Sequence, residues 1–435
     1  MIVADLGRTM GMDFRRIMLD ELPRPLVGCH AVAAGDFLFV GGLLPSDYRI
    51  GIAEDARSKS KLPLVDDPAR AQSEYLIRTA ETILTKCGSS FDSVVRIDQF
   101  VADRAVAAPY LRARREAFAN SRRPASTLLA IAGLPVPAAA VSADIVAVAS
   151  GVQKDGIFTN DAPINFPGVP HGAQAGPFVF VQGQIATDFV NRLAPEAAPS
   201  PFWYETPIER ETEYIIRNLA TILEAAGSSL SDIVKAHVYL TNMADFAEFE
   251  RVWARYFSSR PPARTVIPVA SLGSQDCRIE INVIALHRDL PRKYINTVTA
   301  GSRAPLIESE AVYAGNFLFL SGLIAGDFRN GLAPEAMVSP DAPFFASEIE
   351  QQVGYALKRA AAICDAAGGS LDQLCWSQIF LSEISDYYNF TRAWNEVLGE
   401  KQPAVTTVQV PNISLAPGAR IVLDLTAYVP ERTAL

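Results

Sequence analysis

Apolar and polar positions alternate along this chain in a few recognisable runs. GDFLFVGG (35–42) is a short, almost wholly apolar stretch that follows a glycine, the pattern of a buried strand after a turn. ARAQSEYLIRTAETILTKCG (69–88) carries its apolar residues at helical spacing and ends on Gly88, a helix C-cap. Further on, IVKAHVYLTN (233–242) predicts a strand and MADFAEFERVWARYF (243–257) an amphipathic helix. ARTVIPVASL (263–272) and RIEINVIALH (278–287) then predict two closing strands. The order strand–strand–helix–strand–helix–strand–strand implies an α+β layer with its helices on one sheet face.

The same order occurs three times. AVAAGDFLFVGGLLPSD begins at 31, GAQAGPFVFVQGQIATD at 172 and AVYAGNFLFLSGLIAGD at 311. KCGSSFDSVV (86–95), AAGSSLSDIV (225–234) and AAGGSLDQLC (366–375) form a second marker. RPASTLLAI (123–131), PPARTVIPV (261–269) and QPAVTTVQV (402–410) form a third. A repeat of about 140 residues is the size of a domain, which predicts three tandem units over 1–150, 151–290 and 291–435. Nothing inside a unit covers its second sheet face, so the neighbouring units are the expected cover.

Composition narrows the function. The chain has 435 residues, is 49% hydrophobic and 20% charged, and has a formal net charge of −9 with no clustered basic stripe. Such a chain is globular, and nucleic acid is not an expected partner. Five scattered cysteines without a CxxC suggest reduced thiols and a cytoplasmic location, and the first residues lack the apolar core of a signal peptide. The apolar segment 126–150 could pass for a membrane span. Its Gly133, Pro135, Pro137 and Asp144, and its place in the repeat, predict two buried strands and a turn instead, with no membrane partner. No HExxH, CxxC, GxGxxG or Walker loop occurs, so neither a metal nor another cofactor is expected.

AVYAGNFLFLSGLIAGD, AAGSSLSDIVKAHVYLTNMADFAEFERVWARYF, PPARTVIPV and RIEINVIA resemble the Rid family (YjgF/RutC) of enamine/imine deaminases, over nearly the whole of each unit. The resemblance implies three Rid-like (chorismate-mutase-like) domains fused as a pseudo-trimer, sheets inward and helices outside. Its ligand sites would lie in clefts between units. The chain would be a monomer or a small homo-oligomer of such chains. The family's carboxylate-binding arginine matches Arg264, and the glutamate that holds a hydrolytic water matches Glu280. The same positions are matched to Ser126 and Asp144 in the first unit and to Val405 and Val422 in the third. One surviving site, built around the second unit, is therefore expected, with the first and third degenerate. Gln182, Gly183, Ser321 and Gly322 match the pocket-lining Ser-Gly pair. His171, aligned with His30 and Glu310, is a further candidate for binding, although a structural role is favoured. The family tyrosine is replaced by Gly28, Val169 or Glu308. The expected activity is hydrolytic deamination of a small carboxylated imine or enamine. A carboxylate-binding protein without turnover, and a different hydrolase or lyase reaction on the same scaffold, stand as alternatives.

Overall fold

The structure, a computed structural model, describes residues 12–431 apart from 61–66, 165–167, 202–203, 288–289, 298–305, 327–330, 340, 342–345 and 414. The first unit contains β1 (Met12–Ile17), β2 (Ala31–Gly35), β3 (Phe37–Leu43), α1 (Pro68–Lys86), β4 (Val94–Val101), α2 (Ala107–Ala117), β5 (Ala125–Ala130) and β6 (Val141–Val148). The second repeats this as β7 (Lys154–Ile157), β8 (Gly172–Ala175), β9 (Phe178–Ile185), α3 (Pro207–Ala225), β10 (Ile233–Leu240), α4 (Phe246–Phe257), β11 (Ala263–Pro268) and β12 (Ile279–Leu286). The third contains β13 (Arg292–Ile295), β14 (Ala311–Ala314), β15 (Phe317–Leu320), α5 (Glu348–Ala366), β16 (Leu374–Leu381), α6 (Tyr387–Leu398), β17 (Ala404–Gln409) and β18 (Ile421–Tyr428).

Each unit is one six-stranded sheet of the same topology, with order β1-β2-β3-β6-β4-β5 in the first and its equivalents in the others. The strand after the second helix runs parallel to the strand before it, while the other pairs are antiparallel. The predicted helices and central strands are all present, and the apolar segment 126–150 is indeed the β5–β6 pair. Sequence periodicity missed the outermost strands β1, β7 and β13. KDGI and RKYI are too short and polar to stand out, and they gain strand form only by pairing with β8 and β14.

The helices cover one face of each sheet. Along α3 the buried residues Ile208, Thr212, Ile215, Ile216, Leu219, Ile222 and Leu223 form one stripe, and a capping box of Thr206 and Glu209 starts the helix. The opposite sheet faces meet one another. Phe37 of β3, Phe178 of β9 and Phe317 of β15 form a triangle with ring centroids 5.6–5.8 Å apart, so each sheet places one phenylalanine in a shared aromatic core. Next to it lies a buried polar layer from the central strands. Arg96 binds Asp98 through Nη2–Oδ2 (2.7 Å), and both Lys235 Nζ and His237 Nε2 approach Asp424 Oδ2 at 3.0 Å. The Gln378 amide donates to Asp98 and Asp144. Burial and the Asp98 charge push Asp144 well above the usual carboxylate range. Asp98 is paired with Arg96, and Asp424 with Lys235.

Because the three sheets share this core, the units are expected to unfold together. Phe178→Ala should cost about 3–5 kcal/mol, the usual range for a buried phenylalanine. In calorimetry it should lower the midpoint of a single transition. Three resolved transitions, with only one displaced, would contradict the shared core.

Candidate active site in the clefts between units

The three clefts follow one plan. The edge strand of one unit packs beside the second long strand of the next: β5 by β9, β11 by β15 and β17 by β3. Each cleft therefore combines the Pro-Ala stretch of one unit with the closing strand of its neighbour. Arg264 and Glu280, expected in a single site, stand in different clefts. Their strands are separated only by β10, but Glu280 alternates onto the inward sheet face with Asn282, which bonds His237. Arg264 packs against α4, where Phe249 and Trp253 lie 5.4 and 5.2 Å from its guanidinium carbon. A second correction concerns register. Glu280 pairs with Tyr239, and the equivalent pairs are Ser142 with Phe100 and Val422 with Phe380. Ser142, not Asp144, is thus the first-unit counterpart of Glu280, and Asp144 belongs to the axial polar layer.

Two clefts are filled. Between the third and first units, a β-carbon at Gly41 or Gly42 would overlap the backbone at Val405, so the two strands touch directly. Tyr48 lies beside this seam with its hydroxyl 3.1 Å from the Gly42 carbonyl, and the Gly42 amide donates to Thr406 Oγ1 across it at 3.0 Å. Between the second and third units, Arg264 is fully buried and both arms of its fork bind Glu250, with Nη2–Oε1 at 3.0 Å. Glu308, at the position of the family tyrosine, sits 3.5 Å from Arg264 Nε. Ser321 accepts from the Arg264 amide at 2.8 Å and donates to the Ser309 carbonyl, and Gly322 N donates to the Arg264 carbonyl at 3.0 Å. About 10 Å³ remains, room for one water molecule at most.

The cleft between the first and second units is open, with a volume of about 1030 Å³. Ser126, Gln182, Gly183 and Glu280 line it together. Ser126 occupies the arginine position, yet a guanidinium is present. Arg114 of α2 donates from Nη1 to Ser126 Oγ at 2.6 Å and to Gln99 Oε1. Its Nε and Nη2 make no hydrogen bond to the described residues, and no carboxylate pairs with it. Burial, with a smaller push from the Arg123 charge, pulls Arg114 below the usual arginine value. The corresponding helix positions are Trp253 and Trp394, both core aromatics. Sequence reasoning missed Arg114. The signal was a charge at an aromatic position, coupled with the loss of the strand arginine at Ser126.

Glu280 is buried, and no protein donor reaches its carboxyl among the described residues. Burial, and secondarily the Asp98 charge, pushes it up to about 8. Gly183 makes room for it, because a β-carbon there would overlap Glu280 Oε1. His171 does not line the cleft. It is fully buried, and its Nε2 meets the carbonyls of Ala162 and Pro163 at 3.3 and 3.1 Å, which ties the start of β8 to the preceding loop. Among the described residues no group of His, Cys, Asp and Glu is placed to hold a metal ion, and no helix is long and apolar enough to cross a membrane.

The profile of the family described as Endoribonuclease L-PSP matches residues 28–149, 169–287 and 304–429. The chain belongs to this family, the Rid/RutC group, as three tandem copies. A RutC family protein of Saccharolobus solfataricus is 38% identical over 134 residues, 31% of this chain and 98% of that protein. Reactive Intermediate Deaminase A of Arabidopsis thaliana is 31% identical over 137 residues, 32% of this chain and 68% of that protein. The crystal structure of RidA from a Psychrobacter species is 30% identical, covering 30% of this chain and 98% of that one, with a TM-score of 0.26.

Two measurements probe the contrast between the clefts. Arg264→Ala takes the guanidinium away from two buried carboxylates, Glu250 and Glu308. Breaking such a pair typically costs about 3–5 kcal/mol, so the urea midpoint should fall sharply. A variant as stable as the parent would remove Arg264 from the structural role. Glu280→Gln tests the raised carboxyl. With a native value near 8 and an unfolded one of about 4.3, the folded state binds the extra proton between these limits. Wild-type stability therefore falls as pH rises through that window. The variant lacks this loss. Its melting temperature should exceed the parent's most above pH of about 8, and least below about 4.5. An advantage that does not change with pH would show that Glu280 is not the titrating group.

Proposed function

We propose that the chain hydrolyses the C–N bond of a small carboxylated imine or enamine in the cleft between its first and second units. Membership of the Rid/RutC family, which includes the reactive intermediate deaminase named above, supports a deaminase-like role. The observation that carries the reading is a juxtaposition. An unpartnered carboxyl, Glu280, and an arginine fork without an internal carboxylate, Arg114, open onto the same large cleft.

Arg114 receives the substrate carboxylate through Nε and Nη2, while Ser126 and Gln99 hold the guanidinium in place. Glu280, protonated at neutral pH, gives its proton to the imine nitrogen. The resulting carboxylate takes a proton from water as its oxygen bonds to the imine carbon, giving a carbinolamine. Glu280 then protonates the amine, ammonia leaves with the C–N electron pair, and the carboxylate removes the hydroxyl proton to leave a carbonyl. Imine and water thus yield carbonyl and ammonia, with Glu280 restored. A carboxyl near 8 suits this exchange, since a general acid-base works best near the ambient pH.

Ammonia release from a 2-imino acid, generated in the assay, tests the assignment. Arg114→Ala removes one partner of a charge pair, typically about 2–5 kcal/mol or roughly two orders of magnitude in kcat/KM. Arg114→Lys should restore only part, because an ammonium cannot make two parallel bonds. Arg264→Ala should lower stability and leave kcat/KM of the folded protein near the parent value. Full activity in folded Arg114→Ala would sink the proposal. Saturable carboxylate binding with no ammonia release would recast the protein as a binder.

A further inference from the structure

We infer that the substrate of this cleft is a dianion. Beside the carboxylate received by Arg114, it carries a second anionic group, a phosphate or another carboxylate, held by Arg115 and Arg123. This rests on the reading of the cleft as the substrate site.

The first observation is charge. Arg104, Arg112, Arg115 and Arg123 line the cleft in addition to Arg114, in a chain whose net charge is −9. Arg192 also lines it but is neutralised by Asp276 at 2.7 Å. Among the described residues, Arg112, Arg115 and Arg123 are exposed and make no ion pair, and Glu280 is the one acid that lines the cleft. Arg123 is close enough to Arg114 for its charge to disfavour the Arg114 cation. Two cations held together without a counter-ion are relieved by an anion that reaches both.

The second observation is internal to the chain, because the repeat supplies its own controls. Arg104 corresponds to Met243 and Ile384, Arg115 to Ala254 and Asn395, and Arg123 to Pro261 and Gln402. The two units whose Pro-Ala stretches border filled clefts carry no charge at these places. At these three places basic residues thus stand beside the open cleft and not beside the filled ones. A general demand for solubility would not single out that wall. Only Arg112 has cationic equivalents, Arg251 and Arg392, and both of these pair with glutamates.

The third is size. A cleft of about 1030 Å³ lies at the upper end of ordinary small-molecule sites, which suits a substrate extended beyond one carboxylate.

Calorimetric binding of non-reactive acids to the full chain tests this. The probes are butyrate, glutarate and 3-phosphoglycerate. At about 20 mM salt at least one dianion should bind roughly tenfold or more tighter than butyrate, and about 500 mM salt should shrink the difference through screening of the exposed arginines. Preference for glutarate or for 3-phosphoglycerate identifies the second group. In Arg115→Gln/Arg123→Gln the advantage should vanish, with the dianions weakened far more than butyrate, and both positions are exposed, so folding is preserved. In Arg114→Ala all three acids should weaken. Equal binding of mono- and dianions to the parent, or an advantage that survives the double substitution, overturns the inference and leaves the Arg114 site standing. Binding that is absent, or indifferent to Arg114, removes the site and the inference together.

Discussion

Burial of both sheet faces is the constraint on which this molecule turns. The strands at the centre of each unit, such as β4, β10, β12 and β16, are buried at every position. Helices cover only one side of each sheet. The other must meet a second sheet, and three units that do so in a closed arrangement bury all three inner faces at once. Roughly 25 cal/mol is gained per Å² of apolar surface removed from water, so no unit has reason to stand apart. What is left accessible is the seam where one unit's edge strand passes its neighbour. The clefts lie there for that reason.

What happens at a seam is decided by desolvation of charge. A guanidinium between strand and helix needs an anion or water. At Arg264 the chain supplies the anion itself through Glu250, with Glu308 behind it, and the seam is solid. At Val405 the charge is gone, and two strands close on glycines. Only between the first and second units does a cation, Arg114, remain half-satisfied beside open volume. Glu280, on the same cleft, is pushed up to about 8 by its own burial and by the Asp98 charge.

Much of this was legible beforehand. The repeat, its period, the helices and the inner strands follow from spacing and alternation, which are properties of a segment alone. The failures all involve relations between segments. Alternation puts Glu280 on the face opposite Ile279 and Ile281, but does not say what that face meets or which neighbour's strand lies there. The pairing of Arg264 with Glu280 therefore joined residues that belong to two seams. The assignment of Asp144 failed because two acidic side chains on similar strands differ by one turn of the pleat, and only the pairing with Phe100 or Asp98 separates them. Arg114 escaped because its role depends on Ser126, twelve residues away on another element. The edge strands β7 and β13 are strands through their partners' hydrogen bonds and not through their own composition.

The axial polar layer has one more consequence. Asp98, His237 and Gln378 occupy equivalent places on β4, β10 and β16, as do Asp144, Asn282 and Asp424 on β6, β12 and β18. In a ring of identical chains every substitution appears in triplicate, so an acid at the axis would face two copies of itself. Covalent linkage lifts that degeneracy. Each place on the axis becomes an independent variable, acid can meet base across it, and the three seams are freed from sharing one fate. A single chain can thus hold three divergent versions of one interface, two of them given over to cohesion and one left to chemistry.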